Sequence, residues 1–133
     1  MTTDAPTRVR GGIGESVQRP DGEPKVTGNF AYASDLTAPD MLFGATFRSP
    51  HTHARLIGLD TSAAEAMDGV RAVLTQDDVP GKPLFGQEDQ DQPVLCDGIV
   101  RYWGEPVAVV AAEDEETARL AAAAIVAEWE PLE

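Results

Sequence analysis

The sequence predicts an α+β domain, a mixed α/β arrangement of several strands with about two main helices, on three observations. The run Val107-Ala108-Val109-Val110-Ala111 is apolar without alternation, as in a strand covered on both faces. Ala118, Ala121, Ala122 and Ile125 recur at helical spacing behind Asp114, an acidic side chain suited to cap a helix. Ser62-Ala63-Ala64-Glu65 has the spacing of a capping box, in which serine and glutamate satisfy free amides of a first helical turn.

The elements follow in chain order. Residues 1–13 are polar and glycine-containing and are expected to form a flexible lead-in, leaving 14–133 as the folded domain. Residues 17–40 carry Pro20, Asp21-Gly22, Pro24 and Pro39, which predicts a winding segment with at most short strands. Residues 42–47 read as a strand, with Phe43, Ala45 and Phe47 on one face, and 55–60 as its successor. A short helix from Ser62, ended by a left-handed cap at Gly69, leads to a strand over 70–75, giving a strand-helix-strand unit. Residues 82–93 form a long polar loop, Val94-Leu95 a short strand, and 99–102 and 107–112 two β-branched runs separated by Gly104-Glu105-Pro106. A second helix is expected over about 115–129, with Trp129 as its large anchor and Pro131 ending it. Strand order is left open.

A chain of 133 residues suits one domain, burying roughly two thirds of its unfolded surface. Ten Lys and Arg against 23 Asp and Glu give a net charge of -13, a field that repels phosphate backbones and anionic lipid, so nucleic acid and membrane surfaces are poor partners. The polar N-terminus lacks the basic-then-apolar pattern of a secretory signal, and a cytoplasmic location is the default expectation. The single Cys96 excludes an internal disulfide framework and a four-thiolate metal or cluster site.

The most decorated stretch is Arg48-Ser49-Pro50-His51-Thr52-His53-Ala54-Arg55, which joins two strands where plain turn residues would serve. His51 and His53 would share one face of an extended segment, but zinc needs further ligands and nothing picks one out. Gly11-Gly12-Ile13-Gly14 lacks the preceding strand and following helix of a phosphate loop. Ser49 has no nucleophile elbow around it, and Asp97 beside Cys96 works against thiolate reactivity. No catalytic, cofactor-binding or metal residue is therefore assigned. Arg48, His51, His53 and Arg55 are instead candidate interface residues, since arginine makes the directional contacts that anchor interfaces. The competing expectation is that they tie down their own loop.

The order of motifs resembles one family. Gly14-Glu15-Ser16-Val17, Arg19, Asp21-Gly22 and Lys25-Val26-Thr27-Gly28, with Tyr32 and Asp35, resemble the opening of the large subunit in the xanthine dehydrogenase, aldehyde oxidase and carbon monoxide dehydrogenase family. Arg48-Ser49-Pro50-His51, Gly69-Val70, Asp91-Gln92-Pro93-Val94-Leu95, Gly104-Glu105-Pro106-Val107 and Trp129-Glu130-Pro131-Leu132 continue it to the end. The resemblance implies the a/b hammerhead fold, in an enzyme that uses molybdopterin, iron-sulfur clusters and usually FAD to hydroxylate purines, other N-heterocycles or aldehydes, or to oxidise carbon monoxide. The segments that serve the molybdenum site in this family have no counterpart here. The implied role is a noncatalytic domain that binds no cofactor itself and whose partners are the molybdenum domain of the same subunit and the iron-sulfur module. A free-standing binding or assembly module with the same fold is the alternative; a self-sufficient hydrolase or metal enzyme is the third reading.

Overall fold

The computed structural model describes residues 13–14 and 16–133. The expected flexible lead-in lies almost wholly outside the described residues, as do two glycines of the Gly11–Gly14 run. The chain divides into two compact units, Met1–Ala38 and Pro39–Glu133.

In the first unit the expected winding segment contains a helix, α1 (Gly22–Thr27). Two features make it possible. Pro24 falls in the first turn, where a missing N–H breaks no helical bond, and Gly28 closes the end at φ 75° in the left-handed region that suits glycine. Asp21 accepts from Arg19 and, at 2.6 Å, from Lys25, and these cations hold its carboxyl below the usual range. The Lys25 ammonium also sits 4.6 Å from the Phe30 ring centroid. The prolines hid this helix in the sequence.

The second unit is built from two three-stranded antiparallel sheets. One has the order β1-β7-β3, from β1 (Phe43–Arg48), β7 (Pro106–Ala112) and β3 (Val70–Leu74). The other has the order β6-β2-β8, from β6 (Ile99–Val100), β2 (Ala54–Asp60) and β8 (Val126–Pro131). A two-residue ladder of β4 (Leu84–Phe85) and β5 (Gln92–Pro93) crosses the polar loop, one step before the strand expected at Val94-Leu95. β7 is the central strand of its sheet, with Val107, Ala108, Val110 and Ala112 buried, as its unalternated sequence predicts.

Two helices cover the first sheet. Ala64 of α2 (Ser62–Glu65) joins Ala121, Ala122 and Ile125 at α3 (Glu115–Ala124) in a core with Ala108 and Val110. The small side chains let helix and sheet approach closely, and Ala45 and Phe47 of β1 pack against this core. A second cluster of Ala54, Cys96, Val100 and Val107 belongs to the other sheet, and Phe47 and Leu59 touch both clusters. Asp114 caps α3 as expected: Oδ1 accepts the Thr117 amide at 2.8 Å and Oδ2 the Thr117 hydroxyl at 2.7 Å. Those bonds hold its carboxyl below the ordinary carboxylate value.

Three expectations need correction. The second helix does not reach Trp129: it stops at Ala124, Ile125 turns extended, and 126–131 pair with β2. Ala127-Glu128-Trp129-Glu130 also alternates with period two, and the free edge of β2 offers it a full set of backbone partners. Ser62 is the first residue of the short helix and Thr61 its N-cap, so the capping box expected at Ser62 is displaced. Asp60 Oδ1 accepts the Ser62 amide at 3.0 Å and its hydroxyl at 2.6 Å, while the Thr61 hydroxyl donates to Glu65 at 2.6 Å. Gly69 is left-handed at φ 85°, but in the turn after the helix rather than as its cap. Finally, the strands flanking α2 lie in different sheets, so β2-α2-β3 bridges the layers.

Candidate functional site

Two connections between sheets meet at one corner of the second unit. Residues 49–53 lead from β1 to β2, and residues 101–105 lead from β6 to β7. Their backbones are stitched together: the Ser49 amide donates to the Glu105 carbonyl at 3.0 Å, and the Gly104 amide donates to the Ser49 carbonyl at 3.0 Å.

In the first connection every residue singled out in the sequence has a contact within the chain. Arg48 Nη1 donates to the Gly104 carbonyl at 2.9 Å. The His51 ring tilts at 60° against Trp129, 5.6 Å between centroids, and is half-buried. His53 Nδ1 lies 2.8 Å from the Glu133 backbone oxygen, to which that nitrogen donates when protonated, while the Leu132 amide donates to the His53 carbonyl. Arg55 Nε reaches Glu130 at 3.3 Å. The C-terminal strand β8 and the residues just after it therefore supply partners for three of the four, which a loop-local reading could not foresee. Arg48, His53 and Arg55 remain exposed, with their charged or polar ends at the surface. The two imidazoles engage different partners. Ser49 is 2 % exposed; its hydroxyl donates to the His51 carbonyl at 3.1 Å and accepts the His51 amide at 3.0 Å, so it shapes the turn.

The second connection was not singled out as a site. Its anchor is Glu105, 3 % exposed, whose carboxylate accepts the Arg101 backbone amide and faces Arg101 Nη1 at 3.4 Å. Arg101 also donates to the Ile99 carbonyl at 2.7 Å and to Asp97 at 3.0 Å, so the buried carboxylate sits in a small ionic knot. Gly104 adopts φ 81° in a turn closed by the Glu105 amide and the Tyr102 carbonyl at 3.2 Å, a conformation that favours glycine at its third position. That turn lifts Tyr102 and Trp103 outward, 55 % and 68 % exposed. The sequence signal was available in an aromatic pair preceding a turn glycine.

Two clefts open in this unit. One of about 420 Å³ is lined by Leu56, Leu59, Cys96 and Val107 with Asp77 and Asp97, and another of about 500 Å³ by Phe85, Tyr102, Asp91 and Glu105. Arg101 also lines the second cleft, where it faces Glu105, and Gln76 lines the first. Cys96 is buried, and burial followed by the Glu105 and Asp97 charges pushes its thiol up, away from the thiolate a metal takes. Among the described residues no three His, Cys, Asp or Glu side chains converge for a metal.

The family model for the aldehyde oxidase and xanthine dehydrogenase a/b hammerhead domain matches residues 27–133. The chain belongs to that family. It is 46% identical over 133 residues to a probable xanthine dehydrogenase subunit of Bacillus subtilis, covering 100% of this chain and 17% of that protein. It is 43% identical to the nicotinate dehydrogenase large molybdopterin subunit of Eubacterium barkeri, over 91% of this chain and 28% of the relative. The aldehyde oxidoreductase of Desulfovibrio gigas superposes with a TM-score of 0.81 at 35% identity, over 86% of this chain and 14% of that one. The hammerhead domain thus spans less than a third of each of these relatives. Among the described residues no helix is long and apolar enough to cross a membrane.

Proposed function

We propose that this chain is a noncatalytic structural domain, covering 14–133, in the large subunit of a cytoplasmic molybdenum-dependent hydroxylase or dehydrogenase. It supports the molybdenum-binding part of that subunit and helps seat the iron-sulfur module, while molybdopterin, the clusters and FAD are bound elsewhere. The observation that carries this reading is the match of the hammerhead-domain family model to residues 27–133, in a chain that spans 17% and 28% of the length of two of its relatives.

Arg48, His51, His53 and Arg55 are the docking residues of this reading. A guanidinium carries five N–H groups, and among the described residues Arg48 and Arg55 each use one. Preorganised by Gly104, Trp129, Glu133 and Glu130, they present fixed geometry at low entropic cost. The test is to purify the enzyme that contains this domain with Arg48 and Arg55 both changed to alanine. Loss of iron from the preparation at unchanged domain folding is the expected result. Full iron and molybdenum content would remove the docking role, and a free 133-residue chain that turns over substrate would remove the whole reading.

A further inference from the structure

The aromatic turn beside the arginine-histidine connection is unexplained by folding. Trp103 and Tyr102 are both more than half exposed, and Phe85 and Val94, which line the adjoining cleft with Tyr102, are exposed as well. Large aromatic side chains left in water at the tip of a rigid turn contribute little to their own domain, yet they are the side chains most enriched where interfaces concentrate their energy. Here the turn is rigid: Glu105 fixes it from below, and Arg48 and Ser49 bond its Gly104 from the side.

Charge adds a second constraint. The chain carries a net charge of -13, but the Arg48 guanidinium beside this turn has no carboxylate partner among the described residues; it bonds only the Gly104 carbonyl. Arg55, Arg71, Arg101 and Arg119 each pair with a carboxylate. A cation without a counter-charge next to two projecting rings fits an opposing surface that offers a hollow for the rings and an acidic group at its rim.

We infer that Tyr102, Trp103 and Arg48 form one anchor that inserts into the remaining polypeptide of the large subunit. This rests on the proposed function and deepens it by naming the contact. Two facts select this occupant over a second copy of the chain. In the relatives more than two thirds of the polypeptide lies outside this domain. A second copy would also bring a net charge of -13 against the same net charge, a repulsion that the rest of a subunit need not share. The anchor is continuous with the docking residues 48–55 through the Arg48 and Ser49 bonds to Gly104.

Hydroxyl-radical footprinting of the free chain and of the assembled enzyme tests the anchor, with exposed Leu120 of α3 as the internal reference. Tyr102 and Trp103 should be modified at least about tenfold more slowly in the enzyme, as desolvated anchors require. A second arm replaces Tyr102 and Trp103 with Ala and keeps Arg48 with its bond to Gly104. It should lower the melting transition of the enzyme and leave that of the free chain unmoved. Equal modification of the rings in both samples would overturn the anchor while leaving the proposed function intact. Protection in the free chain that grows with its concentration would instead assign the surface to a second copy. An enzyme preparation in which this domain accompanies no molybdenum-binding polypeptide would remove the underlying reading, and the anchor with it.

Discussion

The two connections at this corner lie against each other and share backbone bonds, yet they spend their side chains in opposite ways. Residues 49–53 turn inward: Ser49 is buried and His51 lies against Trp129. Residues 101–105 bury one carboxylate, Glu105, and raise Tyr102 and Trp103 into solvent. A polar connection with partners inside the chain is held in shape by them and offers outward only the donors they leave over. An aromatic connection that the described residues leave uncovered offers whole rings. Exposure of apolar surface against a satisfied polar network is the more informative contrast.

The comparison breaks most severely at the shared anchor. Replacing Glu105 with alanine takes the acceptor from the Arg101 backbone amide and one of several partners from its guanidinium, loosening both connections and lowering unfolding free energy by about 2 kcal/mol in urea titration. Trp129→Ala should act on the first connection alone, by about 2 kcal/mol, because it removes a half-buried ring that packs on His51 and the second core cluster. Footprinting of Tyr102 and Trp103 should be unchanged in that variant, and a change there would show that the two connections are not independent.

Acid should sharpen the picture from outside the corner. Asp60 and Asp114 both carry carboxyls held below their ordinary value, by Ser62 and Thr117 respectively. A lowered folded value means that their contribution is present above about pH 4 and is lost as pH falls below it through the folded values. Asp114→Asn should therefore flatten the acid limb of a stability-against-pH curve measured by thermal melting, and an unchanged limb would remove the cap from the account. The smallest effect is expected for Tyr102→Ser with Trp103→Ser, within about 0.5 kcal/mol in the free chain, since neither ring is covered there. A larger loss would show that the rings stabilise the domain itself, against the contrast drawn above.

The sequence carried the central elements because their signals are local. The unalternated run of β7 makes both its faces apolar whatever its neighbours are, and Asp114 lies within reach of the Thr117 amide as soon as one helical turn forms. The strands read at 55–60 and 70–75, observed at Ala54–Asp60 and Val70–Leu74, depend on the same short-range chemistry. The decorated connection was visible as a cluster in the sequence, and each of its four residues has its own contact within the chain. Their partners were not visible, because Gly104, Glu130 and Glu133 stand 56 to 80 residues away.

Tertiary structure alone decided the segment after Ala124. Its residues satisfy both a helical continuation and a period-two strand, and only the unpaired edge of β2 tips the balance by supplying backbone partners from Ala54 to Asp60. It also decided that consecutive strands β1 and β2 enter different sheets, since pairing is selected by packing between distant runs and not by order along the chain. Composition and local pattern determined what each segment is able to form. Long-range pairing chose among those options, because a backbone hydrogen bond or a buried contact exists only once its distant partner has arrived.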